Sequence, residues 1–420
     1  MTVLTRGGRA EPARRRAEPL QVLFAYRVLS RAYFHLPVLL VFLDLRQYSF
    51  EAIESILALY GVAVLAAGFV TGRVRRTASP RWILTVGEIL KAIGIVLVGY
   101  TAGGLLGLVV GQVLNGAGYA LTSSVETGLV SQLAEDPSAV GKIQSNTQAW
   151  IFAMVMASGI LGAIIFQHQQ HLVFVLSVVA CLLSAVIATR VATGIGPAAA
   201  APTGSFGDAP TTVWNRKIMS WVGYYAAIRS VSLAGFVGII PYLLFVKVHV
   251  SLPFFGAMLA LFNIGAFVVN KAASAVLAAL GDQALAAATV VAVTACMLLL
   301  AVSQAFAVAG LAIFVLGLGA GAARPVTQRG LSDLAAPVRS AVTGRMEQLT
   351  GLTNAAILVG AGALLQAGEA TSLLVGLGLA LLVVGLIVVA LGRPPAASPA
   401  DGDPAPAHTQ RAPERARSES

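Results

Sequence analysis

The stretch FAYRVLSRAYFHLP (24–37) places Arg27, Arg31 and His35 at four-residue intervals. On a helix that spacing stacks the three side chains on one face, one turn above another. Guanidinium forks match carboxylate and phosphate oxygens, and an imidazole with an ordinary pKa of about 6.5 can carry a proton. Other polar side chains recur at helical intervals in runs that are otherwise apolar. Gln112, Asn115, Tyr119, Thr122 and Glu126 form one stripe, and Glu347, Thr350 and Asn354 form another. Tyr225, Arg229 and Ser232 follow the same spacing, as do Asn263 and Asn270, while Glu88 and Lys91 stand one turn apart in GEILKAIG. The sequence has no GxxxxGK loop ending in Ser or Thr, no metal-ligand spacing and no nucleophile elbow. ATP as an energy source, a bound metal, a cofactor and enzymatic chemistry are therefore not expected. Cys181 and Cys296 lie in apolar runs without polar partners and read as small apolar residues.

These residues must be positioned by segments built for lipid. The chain is 57% hydrophobic and only 11% charged, with a mean hydropathy of +0.82, whereas soluble domains are about 25% charged. The net charge of +10 comes mainly from tails and short loops, which indicates membrane topology rather than nucleic-acid binding. Apolar runs that can cross about 30 Å of hydrocarbon lie near 20–43, 54–72, 82–101, 104–125, 149–166 and 172–189. A second set lies near 218–246, 252–277, 284–304, 306–323, 345–366 and 371–392. The expected fold is an all-α membrane protein of twelve transmembrane helices in two six-helix bundles, 20–193 and 216–392. A basic leader (1–19), a Gly-, Pro- and Ala-rich linker (194–215) and a disordered tail (393–420) complete the plan. Arg73, Arg75, Arg76, Arg81, Lys142, Arg190, Arg216, Lys217, Arg329 and Arg339 collect on the side of the N-terminal arginines. The opposite side holds Arg46 and Lys247 against Asp44, Glu51, Glu54 and Glu369. This asymmetry places both termini in the cytoplasm of a multi-pass protein of the cell membrane.

The two sets repeat at an offset of 202 positions. LALY (57–60) matches LALF (259–262), Val113-Leu114 matches Val315-Leu316, and Gly128-Leu129 matches Gly330-Leu331. Arg27, Ser30, Ala32 and Phe34 match Arg229, Ser232, Ala234 and Phe236. Paired halves around a midplane site are a transporter architecture. Spans, linker and repeat together resemble the major facilitator superfamily over about residues 20–392. GFVTGRVRR (68–76) resembles that family's loop motif, with Gly72 in place of its usual Asp and Arg75 where Gly is common. QVLNGAG (112–118) resembles a span-four pattern that begins with Arg, here Gln112. ASGILGA (157–163) resembles an antiporter signature, with Gly159 in place of Pro.

The resemblance implies that spans one, four, seven and ten line a central cavity, with two, five, eight and eleven beside them. It therefore assigns Arg31, His35, Gln112, Asn115, Tyr119, Thr122, Tyr225, Arg229, Ser232, Asn263, Thr350 and Asn354 to substrate contact. The plainer alternative is hydrogen bonding between helices. Arg31 and Arg229 together would favour an anionic group, and a family branch that exchanges organic phosphates is similar in using one arginine from each half. Arg27, close to the span end, reads as snorkelling to the headgroups. His35, Glu88 and Glu126 are candidates for proton coupling, although a hydrogen-bonded His35 and a local Glu88–Lys91 pair are the plainer readings. Asp44 and Glu347 read as boundary residues, and Arg73, Arg75 and Arg76 as a cytoplasmic latch or as topology signals. Gly159, Gly162, Gly360 and Gly362 read as close-packing positions. The implied function is a monomeric secondary transporter moving a small organic solute, with proton-coupled efflux of a drug-like or secondary metabolite as the leading reading. The alternatives are uptake or exchange of an anionic metabolite, and a non-transporting sensor that reuses the fold.

Overall fold

The computed structural model describes residues 11–100, 104–134, 139–191, 215–303, 305–334 and 336–392. The expected linker, most of the leader and the expected tail lie largely outside the described residues. The first set of helices comprises α1 (Glu11–Leu29), α2 (Leu39–Asp44), α3 (Phe50–Thr77), α4 (Pro80–Tyr100), α5 (Leu105–Leu133), α6 (Ala139–His168) and α7 (Leu172–Ala188). The second comprises α8 (Arg216–Ala234), α9 (Leu252–Leu280), α10 (Asp282–Val302), α11 (Phe306–Gly330), α12 (Ala336–Gln366) and α13 (Ala370–Gly392). Among the described residues, ten helical segments are long and apolar enough to cross a membrane, and two shorter apolar helices, Pro19–Leu29 and Leu172–Ala188, accompany them. Large apolar side chains such as Val86, Ile93, Val186, Leu311 and Leu386 point outward, as a lipid-facing surface requires.

Helix ends follow from local chemistry. Ser49 caps α3 by accepting from the Ala52 N–H at 3.3 Å, and the Asn215 amide oxygen caps α8 through the Ile218 N–H at 2.8 Å. Pro80 opens α4, where its missing N–H costs nothing. Gly281, at φ 75°, turns the chain from α9 into α10.

The first apolar run is not one helix. α1 stops at Leu29, the chain runs without helix to His35, and a 3-10 turn (Leu36–Val38) leads into α2. Arg27, Arg31 and His35 therefore do not form the single helical stripe that their spacing suggests. Pro37 cannot donate a backbone hydrogen bond, and the groups freed by the break find side-chain partners. The Phe34 and His35 N–H groups donate to Ser177 Oγ of α7 at 3.0 and 3.3 Å, and Lys91 Nζ of α4 donates to the Ser30 carbonyl at 3.3 Å. Irregular backbone at membrane depth persists where protein or a cavity satisfies it. At the repeat-equivalent position, α8 passes into π-helical turns at Gly235–Ile239, with a second at Tyr242–Lys247.

The two sets meet along two long seams. α3 lies along α12, where Gly61 and Gly351 touch backbone to backbone. α6 lies along α9, where Ser145 donates to the Asn270 carbonyl at 2.7 Å and Gly256 packs on Ala163. One face of the molecule, the near face, is where α1 and α8 begin. The opposite, far face is where α3 begins and α12 ends. There the Phe50 N–H donates to Gln366 Oε1 at 2.9 Å, and the Phe50 ring packs on Tyr242 at 4.7 Å.

Candidate functional site

Between the seams lies a cavity in which water centres can occupy about 210 Å³. It is framed by the broken first segment and by α3, α5, α6, α8, α9, α11 and α12. Its wall includes Arg31, His35, Gln112, Asn115, Tyr119, Glu126, Tyr225, Arg229, Asn263, Thr350 and Asn354, which the sequence had nominated. Two nominees lie elsewhere. Thr122 bonds back to the Tyr119 carbonyl at 3.0 Å and packs on Gly87 of α4, and Ser232 is fully buried outside the wall. Each lies one position off the cavity face, which runs through Tyr119, Ser123 and Glu126 on α5 and through Arg229, Leu233 and Phe236 on α8 and the turn after it.

Charge is organised within each set. Arg31 grips both oxygens of Glu126 at 3.1 Å and sits over the Tyr119 ring at 4.9 Å, while Arg27 Nε lies 3.4 Å from the same carboxylate. Arg27 is only 3% exposed and lines the cavity, so it does not snorkel to the surface; Glu126 draws it inward. Across the cavity, Arg324 meets Glu347 Oε1 at 2.6 Å, and Tyr225 donates to the same oxygen at 2.8 Å. Glu347 is thus a cavity residue rather than a boundary one. Arg229 faces the same space with no hydrogen bond or ion pair to any described residue. Four lining arginines face two lining glutamates, an excess of two positive charges with His35 neutral.

His35 packs on Phe174 at 5.4 Å with Nδ1 2.9 Å from Ser177 Oγ, so it joins the cavity wall and the support of the helix break at once. Glu88 and Lys91 are fully buried outside the cavity, 2.7 Å apart. Tyr26 and Ser30 both donate to Glu88 at 2.8 Å. This network clamps the first segment to α4, which is the structural reading of the pair. In the loop-motif region, Arg73 is exposed with no partner among the described residues, and Arg75 donates to the Ser124 carbonyl of α5 at 3.2 Å. That bond lies within one set of helices and does not join the two; the Arg76 side chain lies outside the described residues. Gly162 packs against the Phe34 carbonyl and Gly362 against α3, but Gly360 has open space beside it and packs on nothing.

Two residues escaped the sequence reading, the cavity-lining Arg324 and the fully buried Glu54. Both lay at an assumed span end, Arg324 just past 323 and Glu54 at the first residue of 54–72, and a charge at such a point reads as a loop residue. Arg324 precedes Pro325 in the run GLGAGAARP, whose small residues signal a backbone approached closely by other helices.

No protein-family model matches the chain, and no curated protein sequence matches it. Solved structures do. The human organic anion transporter MFSD10 (TETRAN) superposes with a TM-score of 0.69 at 14% identity, covering 89% of this chain and 99% of the other. The nucleoside transporter NupG gives 0.70 at 11% identity, covering 90% and 98%. A POT family transporter in complex with a thioalcohol-conjugated peptide gives 0.71 at 14% identity, covering 89% and 96%. The chain has the major facilitator fold. At these identities the likeness is one of fold, and the cavity's own residues must carry the functional reading.

Proposed function

We propose that the protein is a secondary transporter that carries a small organic anion across the membrane by alternating access, with protons as the coupling ion. In this reading the chain crosses the cell membrane twelve times as two six-helix halves, 20–193 and 216–392, joined by a cytoplasmic linker and with both termini in the cytoplasm. The near face is then cytoplasmic. The observation that carries the anion assignment is Arg229, a cation on the cavity wall without an acidic partner, in a space with two more arginines than glutamates. A cationic substrate would enter against that field, whereas a carboxylate or phosphate would supply the missing counter-charge. Of the readings the sequence left open, this charge balance supports the anionic metabolite rather than a drug-like or secondary metabolite without negative charge. The aromatic rings of Tyr60, Tyr119, Phe152 and Phe262 give the solute's carbon frame an apolar surface to rest on.

The test uses purified protein in liposomes with an imposed pH gradient and a trapped pH-sensitive dye. Mono- and dicarboxylates, organic phosphates, neutral solutes and organic cations are added in turn. Anions are expected to move protons and to raise the melting temperature of the protein, and Arg229→Gln is expected to abolish both effects. Movement driven by cations alone, or an Arg229→Gln protein that handles anions like wild type, overturns the reading.

A further inference from the structure

Glu54 lies in the first turns of α3, and its side chain is completely excluded from solvent. Neither carboxylate oxygen has a hydrogen-bond partner among the described residues. Glu54 belongs to the first set of helices, and its neighbours Gly238 and Gly362 belong to the second. The two oxygens press against Gly238 in the π-helical turn after α8, so closely that a methyl group added there would fall 2.4 Å from each. Its Cβ lies beside Gly362 of α12. Both neighbours lie one step beyond the cavity wall. Leu57 and Gly61, on the same stripe of α3 as Glu54, line the cavity, as do Leu358, one turn before Gly362, and Val237, next to Gly238. Glu54 therefore plugs the end of the cavity toward the far face.

No cation faces it. On its own helix the nearest titratable group is Glu51, one turn earlier and exposed. The π-helical turn Gly235–Ile239 contains none, and the next, Tyr242–Lys247, offers Tyr242, packed on Phe50, and Lys247, exposed at its last position. The part of α12 against it, 355–366, contributes no charge and ends in Gln366, whose amide oxygen is taken by the Phe50 N–H. α2 contributes Asp44, a second acid, at its outer end. An ionised carboxylate sealed here would lack water, counter-ion and hydrogen bond together, a cost of many kcal/mol in a dry interior.

We infer that Glu54 is a proton-binding site, and that the far face of the molecule closes only when Glu54 holds a proton. The inference rests on the alternating-access reading and supplies it with the residue through which protons act. On closure, a proton from water at the far face forms the O–H bond on Glu54. When the seam parts, that bond breaks and the proton returns to water as the carboxylate becomes hydrated. Acid on the far face thus drives the molecule toward the arrangement described here, and alkali opens the far side.

The experiment measures this without any substrate, so its outcome is independent of the anion assignment. Spin labels are placed at Gln170→Cys and Ala367→Cys, exposed positions on the far face in the two sets, after replacing the buried Cys181 and Cys296 with alanine. Double electron–electron resonance distances are recorded in lipid nanodiscs from about pH 5 to about pH 9, a range covering ordinary and buried carboxylates. The wild-type background is expected to lengthen as pH rises, and Glu54→Gln to stay short throughout. Gly238→Ala, whose methyl group displaces the carboxylate, is expected to stay long throughout. A wild-type distance that ignores pH overturns the inference, as does a Glu54→Gln distance that still follows it. Monodispersity and melting of each variant establish that the labelled proteins are folded, and Gly238→Ala provides the opposite displacement if Glu54→Gln does not assemble.

Discussion

The break in the first segment is held chiefly by one hydroxyl, and removing it should be measurable. Ser177 is fully buried on α7. Its oxygen lies 3.0 Å from the Phe34 N, 3.3 Å from the His35 N and 2.9 Å from His35 Nδ1, and it donates to the Val173 carbonyl at 2.8 Å. A hydroxyl offers one proton and two lone pairs, so it satisfies at most three of these four neighbours at once. Alanine would leave the Phe34 and His35 N–H groups without a partner, each worth about 1–3 kcal/mol when buried. Hydrogen bonds inside membranes average only about 0.6 kcal/mol, so the lower end applies and the loss should be about 2 kcal/mol. Spread over a chain of this length at about 2 cal/mol/K per residue, that lowers the melting temperature by about 2 °C. Ser184→Ala provides the control. Ser184 is also buried on α7, but its hydroxyl bonds only back to the Ala180 carbonyl at 2.8 Å, so its removal orphans no donor. Differential scanning fluorimetry in detergent should therefore place Ser177→Ala below Ser184→Ala. If the two melt together, Ser177 does not support the break and the account of why the chain unwinds there is wrong.

Three further outcomes are expected. Lys91→Met should cost about 3–5 kcal/mol by stranding the Glu88 carboxylate, and pairing it with Glu88→Met should restore much of the folded yield, read by fluorescence-detected size exclusion. Glu126→Gln should raise the cavity's excess charge by one and tighten anion binding about two- to tenfold in isothermal titration, while weaker binding would mean that Glu126 positions Arg31 for the ligand. Gly61→Val should abolish the packing of α3 on α12, because its first side-chain carbon would fall 2.4 Å from the Gly351 carbonyl; a well-folded, active variant would show that the seam is looser than described.

Much of this was legible in the sequence because lipid imposes simple rules. Helix positions followed from apolar length, and the cavity wall followed from polar residues that a bilayer would not otherwise admit, such as Asn115, Tyr119, Arg229 and Asn354. The misreadings share a cause. Hydropathy marks a span's end at the first charge, so Glu54 was placed with the charges of one face and Arg324 was left just outside its span, although Glu54 is fully buried and Arg324 lines the cavity. Likewise, an apolar run of suitable length reads as one helix, and the gap at Ser30–His35 depends on Ser177 and Lys91, which lie more than fifty residues away. A helix-breaking proline was visible at position 37, but whether the chain kinks or unwinds there is decided by those distant donors and acceptors.

The contact between Gly61 and Gly351 bears on how the molecule divides its time. Each residue's carbonyl lies where the other's side chain would begin, so the two backbones meet as smooth surfaces with nothing to interlock. Tilting one set of helices on the other withdraws no knob from a hole at this point, and the midline acts as a fulcrum that favours neither arrangement. Bias must then come from the two ends of the lever. At the far end stand the buried Glu54 and the Phe50–Gln366 bond; at the near end, Gln144 meets Gln328 at 2.6 Å and Lys271 meets Asn146. Because each 1.4 kcal/mol changes a population ratio about tenfold, a few such contacts suffice to set the resting state. Single substitutions at either end would retune it without touching the cavity.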